Sequence, residues 1–184
     1  MSETIINRIK KSLKPFSRGL GANAAVAIIL KQESRGLSVL LVKRAENPHD
    51  PWSGQIALPG GKRMLEDRDL KETVVREIHE ETGIDLTGRC EFLGVTRTLR
   101  SRLNPEIKVL PFVFLLRYEP KIQLNEAELE RHHWIPIDEL VRNESAVDLE
   151  SGTRPAFIIG DVKIWGLTFR ILRGFMQEIS KGTS

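Results

Sequence analysis

Residues 60–84 read GGKRMLEDRDLKETVVREIHEETGI, and this stretch decides the fold. A short strand-like run, Gln55 to Leu58, enters it through Pro59-Gly60-Gly61. Beyond the charged loop the spacing is helical. At about 100° per residue, Leu70, Val74, Val75 and Ile78 make one apolar arc that should face a core. The helix is expected over Asp69 to Thr82, with Asp69 capping its start and Gly83 placed where a C-terminal glycine belongs. Glu77 and Glu81 lie four apart and stack on the margin of the arc, with Glu80 a little further round. Carboxylates crowded on a half-buried helix edge repel one another and lose hydration. A multivalent cation relieves both penalties. Hard carboxylate oxygens select Mg2+ or Mn2+, and no Cys or His cluster competes. Arg76, four before Glu80, can hold a carboxylate in place. The plainer reading of an isolated Glu-Glu pair is a solvated helix face. The Pro-Gly-Gly entry argues against it here, because glycines let backbone approach a phosphate or present a carbonyl to a metal.

Working outward, Ala24 to Leu30 is an unbroken apolar run suited to a strand buried on both faces. Lys31 to Gly36 reads as a polar turn and Ser38 to Lys43 as the second strand of a hairpin. Glu46 to Ser53 reads as a loop. Downstream, Phe92 to Leu99 and Ile107 to Arg117 read as strands, and Asn125 to His133 as a helical turn leading to Trp134. Pro136 to Asn143 and Leu167 to Ile179 look helical, and Ala156 to Ile159 with Val162 to Trp165 make a closing hairpin. Mostly strands with a few inserted helices imply an α/β fold, a mixed sheet with helices on its faces. At the N-terminus Ile5, Ile6, Ile9 and Leu13 alternate with Arg8, Lys10, Lys11 and Lys14. This basic amphipathic stretch reads as a short helix, broken at Pro15, that covers the core; a transit peptide or surface-binding helix is the other reading.

With 184 residues, 40% hydrophobic and 29% charged, the chain has the composition of one globular domain. A net charge of +3 implies neither a nucleic-acid nor a membrane partner, and suits an anionic small molecule. No aromatic platform is interleaved with basic residues to support nucleic-acid binding. A single cysteine, Cys90, allows no internal disulfide, so a reducing compartment, the cytoplasm, is expected. No apolar run approaches the length of a membrane span.

Arg76-Glu77-Ile78-His79-Glu80-Glu81-Thr82-Gly83-Ile84 matches the second half of the Nudix box without exception, so the chain resembles the Nudix hydrolases. From Gly61 to Arg76 it is one residue longer than the usual box, and the box's first glutamate maps to Glu66 or Asp67. The resemblance implies the Nudix fold, an α/β/α sandwich around a mixed β-sheet, as a domain over 21–184 behind a helical extension at 1–20. It also implies Mg2+- or Mn2+-dependent hydrolysis of a nucleoside diphosphate linked to another group. Glu77, Glu80 and Glu81 would then bind metal with the Gly60 carbonyl, and Arg76 would brace the cluster. Glu77 or Glu81 would stand near the attacking water, or Glu128 from the later Asn125-Glu126-Ala127-Glu128-Leu129 segment. Glu128 reads equally as a solvated residue of an acidic turn.

Val39 to Arg44, Gly54-Gln55-Ile56-Ala57-Leu58-Pro59-Gly60-Gly61-Lys62 and Ile164 to Leu172 are similar to the coenzyme A diphosphatase branch. That likeness makes Arg44, Gly61 and Lys62 candidate substrate contacts and coenzyme A the leading substrate. The linker Glu46 to Ser53 departs from the branch pattern and holds Trp52, which reads as an adenine-stacking residue or as a loop residue packed on the core. Trp165 reads as core. Arg97, Arg100 and Arg102, with Lys108, read either as a site for an anionic tail or as a solvated loop before Pro105. ADP-ribose, dinucleoside polyphosphates and oxidised nucleoside triphosphates are the rival substrates. A non-catalytic binding module is the rival class, disfavoured because Glu77, Glu80 and Glu81 are all present. Family analogy adds a homodimer as an expectation.

Overall fold

The computed structural model describes residues 2–18, 21–34 and 36–181. In chain order its elements begin with helix α1 (Ser2–Ser12) and strands β1 (Ala24–Glu33), β2 (Gly36–Arg44), β3 (Ile56–Ala57) and β4 (Gly60–Lys62). Helix α2 (Leu70–Thr82) follows, then strands β5 (Cys90–Val95), β6 (Leu99–Arg100), β7 (Lys108–Leu116) and β8 (Leu129–Pro136). Helix α3 (Ile137–Arg142), strands β9 (Glu144–Leu149), β10 (Gly152–Ile159) and β11 (Val162–Trp165), and helix α4 (Gly166–Lys181) complete the chain.

The centre of the molecule is a mixed sheet. β1 runs antiparallel to β2 and parallel to β7; β8 covers the outer edge of β2, and β5 that of β7. Successive side chains of a strand point to opposite faces. In β1, Ala25, Ala27 and Ile29 therefore join one core cluster, with Leu70, Val74 and Ile78 of α2. Ile28 and Leu30 join the other, with Ile6 and Ile9 of α1, Leu140 of α3 and Phe169, Leu172 and Phe175 of α4. The result is an α/β/α sandwich, built on the mixed sheet with helices on its faces that the pattern of elements implies. The unbroken apolar run of β1 needs both helical layers to keep it from water.

The β1–β2 hairpin is closed only at its turn, where Glu33 faces Gly36 and Leu30 faces Val39. Beyond that the two strands part, and the 55–62 segment fills the gap. β3 pairs with the freed edge of β2, Val42 opposite Ala57, and β4 with that of β1, Val26 opposite Gly60.

Three local expectations need correction. Lys31 to Glu33 continue β1, because Lys31 lies over the Trp134 ring at 4.5 Å and reaches Glu119 at 2.8 Å. The helical turn expected over Asn125 to His133 is confined to its start, where the Glu128 and Leu129 N–H groups donate to the Asn125 carbonyl; residues from Leu129 form β8 on the edge of β2. An edge strand has one side in water, so its Glu-Arg-His-His run lacks the apolar alternation that marks an inner strand. Likewise the closing hairpin has a third, mostly exposed strand, β9, and forms a separate antiparallel sheet in the order β11-β10-β9.

Candidate functional site

Helix α2 carries the chemistry, and its ends hold it in register. The Asp69 carboxylate accepts from the backbone N–H groups of Lys71 and Glu72 at 3.0 and 3.1 Å. Gly83 takes φ 70° and donates its N–H to the His79 carbonyl, a left-handed C-cap. Small Ala25 and Ala27 of β1 pack in one cluster with Leu70, Val74 and Ile78. The face carrying Glu77 and Glu81 thereby lies against the Gly60-Gly61 turn.

At Gly60 this turn admits no other residue. Gly60 has φ 139°, and a Cβ there would overlap the Ala25 carbonyl oxygen. The Gly60 N–H donates to Glu81 Oε2 at 2.8 Å. A Cβ on Gly61 would sit 2.5 and 2.6 Å from the two Glu77 carboxylate oxygens. Both glycines thus lie directly on the acidic edge of α2.

Arg76 braces this edge. It forks onto Asp67, Nε to Oδ1 at 3.0 Å and Nη2 to Oδ2 at 2.8 Å. Its Nη1 reaches Glu77 Oε1 at 2.9 Å and Glu80 Oε2 at 3.1 Å. Asp67 is 4% exposed and also accepts from Thr73 Oγ1 and the Met64 N–H, both at 2.9 Å. Glu66 is exposed. Of the two acids that could match the box's first glutamate, Asp67 is therefore the one tied to α2. The Arg76 guanidinium, with these further donors, holds the Asp67 carboxyl far below the usual carboxylate range.

The 123–128 segment is tied to the end of α2. Gln123 N–H donates to the Thr82 carbonyl and Asn125 N–H to the Glu81 carbonyl. The Glu128 carbonyl accepts from the Ala45 N–H at 2.8 Å, and Asn125 Nδ2 donates to Glu128 Oε1 at 2.9 Å. Glu128 is so brought within electrostatic reach of Glu77 and Glu81, and Arg44 within reach of Glu81. Glu81 is 3% exposed, and burial pushes its carboxyl up to about 8, with the Glu77 and Glu128 charges adding to the effect. The Gly60 N–H and Arg44 oppose that rise. Burial also raises Glu77.

Other residues singled out from the sequence lie at the margin of this group or outside it. Glu80 is 54% exposed and bound to Arg76. Lys62, on β4, is exposed. Trp52 is half-buried in the loop, its N–H on Asp50 Oδ1, and Asp50 also pairs with Arg44 at 2.7 Å. Arg97 lies over Gly174 of α4, in the layer opposite α2. In turn the structure brings forward residues that local spacing does not mark. A cleft of about 420 Å³ beside β3 is lined by Lys43, Gln55, Arg131, His133 and Trp165, among others. Trp165, expected in the core, is half-buried and faces this cleft. The legible signal was the basic Arg131-His132-His133 run ahead of Trp134.

The sequence profile of the NUDIX domain matches residues 21–155. The chain belongs to the Nudix family. Over 125 aligned residues it is 31% identical to the peroxisomal coenzyme A diphosphatase of Caenorhabditis elegans, covering 66% of this chain and 51% of that one. Over 187 residues it is 30% identical to the mitochondrial Nudix hydrolase 15 of Arabidopsis thaliana, covering 89% and 62%. The alignments cover only about half to three fifths of the length of these two relatives. Among solved structures it resembles an Ap4A hydrolase of C. elegans in a binary complex, with a TM-score of 0.60 at 16% identity over 86% of this chain and 98% of that one. The NUDIX domain of Shewanella oneidensis NrtR, solved with ADP ribose, matches at a TM-score of 0.55 and 20% identity, over 88% of each chain. At such identities these likenesses show the Nudix fold.

Nudix hydrolases generally use divalent metal ions, and the donor set suits one. Glu81 is a buried carboxylate with like charges beside it and the Gly60 N–H as its hydrogen-bond partner. The available donors are carboxylate and carbonyl oxygens, the set that suits Mg2+ and Mn2+. Among the described residues no three His, Cys, Asp or Glu side chains already converge on one point. In this arrangement Arg76 draws Glu77 and Glu80 to itself, and Glu81 turns to Gly60.

Proposed function

We propose that this Nudix protein hydrolyses the diphosphate linkage of a nucleoside diphosphate derivative, with coenzyme A or acyl-CoA as the leading substrate. The products would be 3′,5′-ADP and 4′-phosphopantetheine. The observation that carries the reading is the buried Glu81 carboxylate, set under Gly60-Gly61 with Glu77 and Glu128 beside it. The name borne by the C. elegans relative supports the choice of coenzyme A. So do the upstream and C-terminal segments similar to that branch.

In this reading Glu77, Glu80, Glu81 and the Gly60 carbonyl hold the metal. When bound, the cation neutralises the diphosphate oxygens and the charge that builds on them during attack. The chain's own residues do the rest. The Asp67–Arg76 pair fixes the edge of α2, so that Glu77 and Glu81 face the turn. Gly61, lacking a side chain, leaves room for a phosphate against the backbone. A carboxylate of Glu77, Glu81 or Glu128 takes a proton from the attacking water as its oxygen bonds to one phosphorus. The bridging P–O bond breaks, and the proton ends on the departing phosphate or in solvent. Arg44, within electrostatic reach of Glu81, would meet phosphate charge, and Trp52, tied to it through Asp50, would stack on an adenine.

Neither nucleic acid nor a membrane enters the proposal. No helix among the described residues is long and apolar enough to cross a bilayer. Single Cys90 fits the cytoplasm, while the named relatives are peroxisomal and mitochondrial proteins.

Chromatographic product analysis tests the reading, with Mg2+ and a panel of coenzyme A, ADP-ribose, NADH, diadenosine polyphosphates and nucleoside triphosphates. Coenzyme A should be cleaved fastest. If ADP-ribose wins, the 46–53 loop has redirected the pocket; if nothing is cleaved, the hydrolase reading falls. Glu81→Gln should lower kcat by about a hundredfold or more while circular dichroism and melting stay native. Full turnover by that folded variant would remove Glu81 from the machinery.

A further inference from the structure

In the layer opposite α2 lies a second cleft, of about 330 Å³, between the 97–100 segment and α4. Arg97 and Arg100 line one wall. Arg170, Arg173 and Gln177, spaced to share one face of α4, line the other, and buried Phe169 also lines it. None of its lining residues is acidic.

This cleft is not a splayed, solvated loop. Arg170 Nη1 donates to the Arg100 carbonyl at 2.9 Å, which fixes a guanidinium against the opposite wall. The Arg97 guanidinium lies over Gly174, where a Cβ would be 3.2 Å from Nη2, so the helix makes room for it. Arg173 is neutralised by Glu144 at 2.9 Å. Among the described residues no ion pair engages Arg97, Arg100, Arg102 or Arg170. The Arg170 charge is disfavoured, first by burial and then by Arg102 and Arg97. Guanidiniums gathered and held without a carboxylate are a folded-state cost that a bound anion removes, and their planar forks match phosphate oxygens.

We propose that this cleft binds a phosphate-bearing anion, a phosphomonoester or diphosphate group, at a site separate from the carboxylates of the Nudix box. The group comes either from a remote phosphoryl group of the substrate or from a distinct phosphorylated effector. The binding itself does not depend on the hydrolase reading.

Titration calorimetry of the full chain with inorganic phosphate, in EDTA and at low ionic strength, tests it. Wild type should take up phosphate saturably, more weakly as salt is added. Arg97→Gln/Arg170→Gln should bind about tenfold or more weakly, since charge-assisted contacts are lost. Lys43→Gln, in the other cleft, should bind like wild type. Should loss of the Arg170–Arg100 contact unfold the double variant, Arg97→Gln and Arg100→Gln singly, both at exposed positions, should each weaken binding several-fold. No saturable uptake by wild type, or equal uptake by the arginine variants, overturns the proposal. Turnover of whichever substrate is cleaved then identifies the source. A raised KM at unchanged kcat in Arg97→Gln marks the substrate's own phosphoryl group. An unchanged KM with a rate that responds to added phosphate only in wild type marks an effector.

Discussion

Asp67 and Glu66 are adjacent acids in a charged loop, and what separates them is where the backbone turns. Met64 N–H and Thr73 Oγ1 both donate to the Asp67 carboxylate, and Arg76 closes on it from α2. The reach of Arg76 to Glu80 was legible from their four-residue spacing. Its stronger partner nine residues back was not, because loop conformation and not periodicity sets that distance. Asp67→Asn should cost about 3 kcal/mol at neutral pH, the scale for breaking a buried pair on one side. Because the folded state holds the Asp67 pKa below its unfolded value near 3.8, this contribution is complete above that value. It fades as pH falls from roughly 4 toward the folded pKa. Urea unfolding of both proteins from pH 7 down to pH 3 should therefore show the gap between them narrowing. A constant gap across that range would mean that the carboxylate's charge is not what stabilises the loop.

At the scale of elements, α2 and its glycine turn were legible because each signal is local. The apolar arc, the Asp69 cap, the Gly83 stop and the Glu77–Glu81 stack all lie within one helix length. β8 and β9 were not. Their residues are polar because one strand edges each sheet, and only pairing with β2 or β10 makes them strands. The cleft residues Lys43, Arg131 and Trp165 come from β2, β8 and β11, so no spacing in the sequence joins them. The turn itself yields a prediction. Gly61→Ala adds one methyl group against the Glu77 carboxylate, which must give way. The melting temperature should move by only a few degrees, while kcat for the cleaved substrate falls at least about tenfold. A variant as active as wild type would show that Glu77 has room to shift without consequence.

For the whole molecule, the two core clusters divide the labour. The cluster under α2 positions the carboxylates, and the one under α1, α3 and α4 supplies stability at a distance from them. Ile9 of α1, 1% exposed, belongs to the second. Ile9→Ala should destabilise by about 2–5 kcal/mol through lost burial and a residual cavity, read by chemical denaturation. The kcat of the folded fraction should stay near wild type. A fall in kcat matching the loss of stability would mean that the layers are coupled more tightly than their separate packing implies.

The parted β1–β2 hairpin bears on this last point. The Ala27 amide donates to Pro59, the Arg44 amide to Gln55, and the Gly60 amide to Glu81. To expose the glycine turn to solvent exchange, the chain must release amides that belong to the two middle strands. Its opening free energy is therefore drawn toward that of global unfolding, unlike the low value usual for a surface loop. Protein made less stable elsewhere would lose active molecules while those that remain folded keep a site of undiminished order.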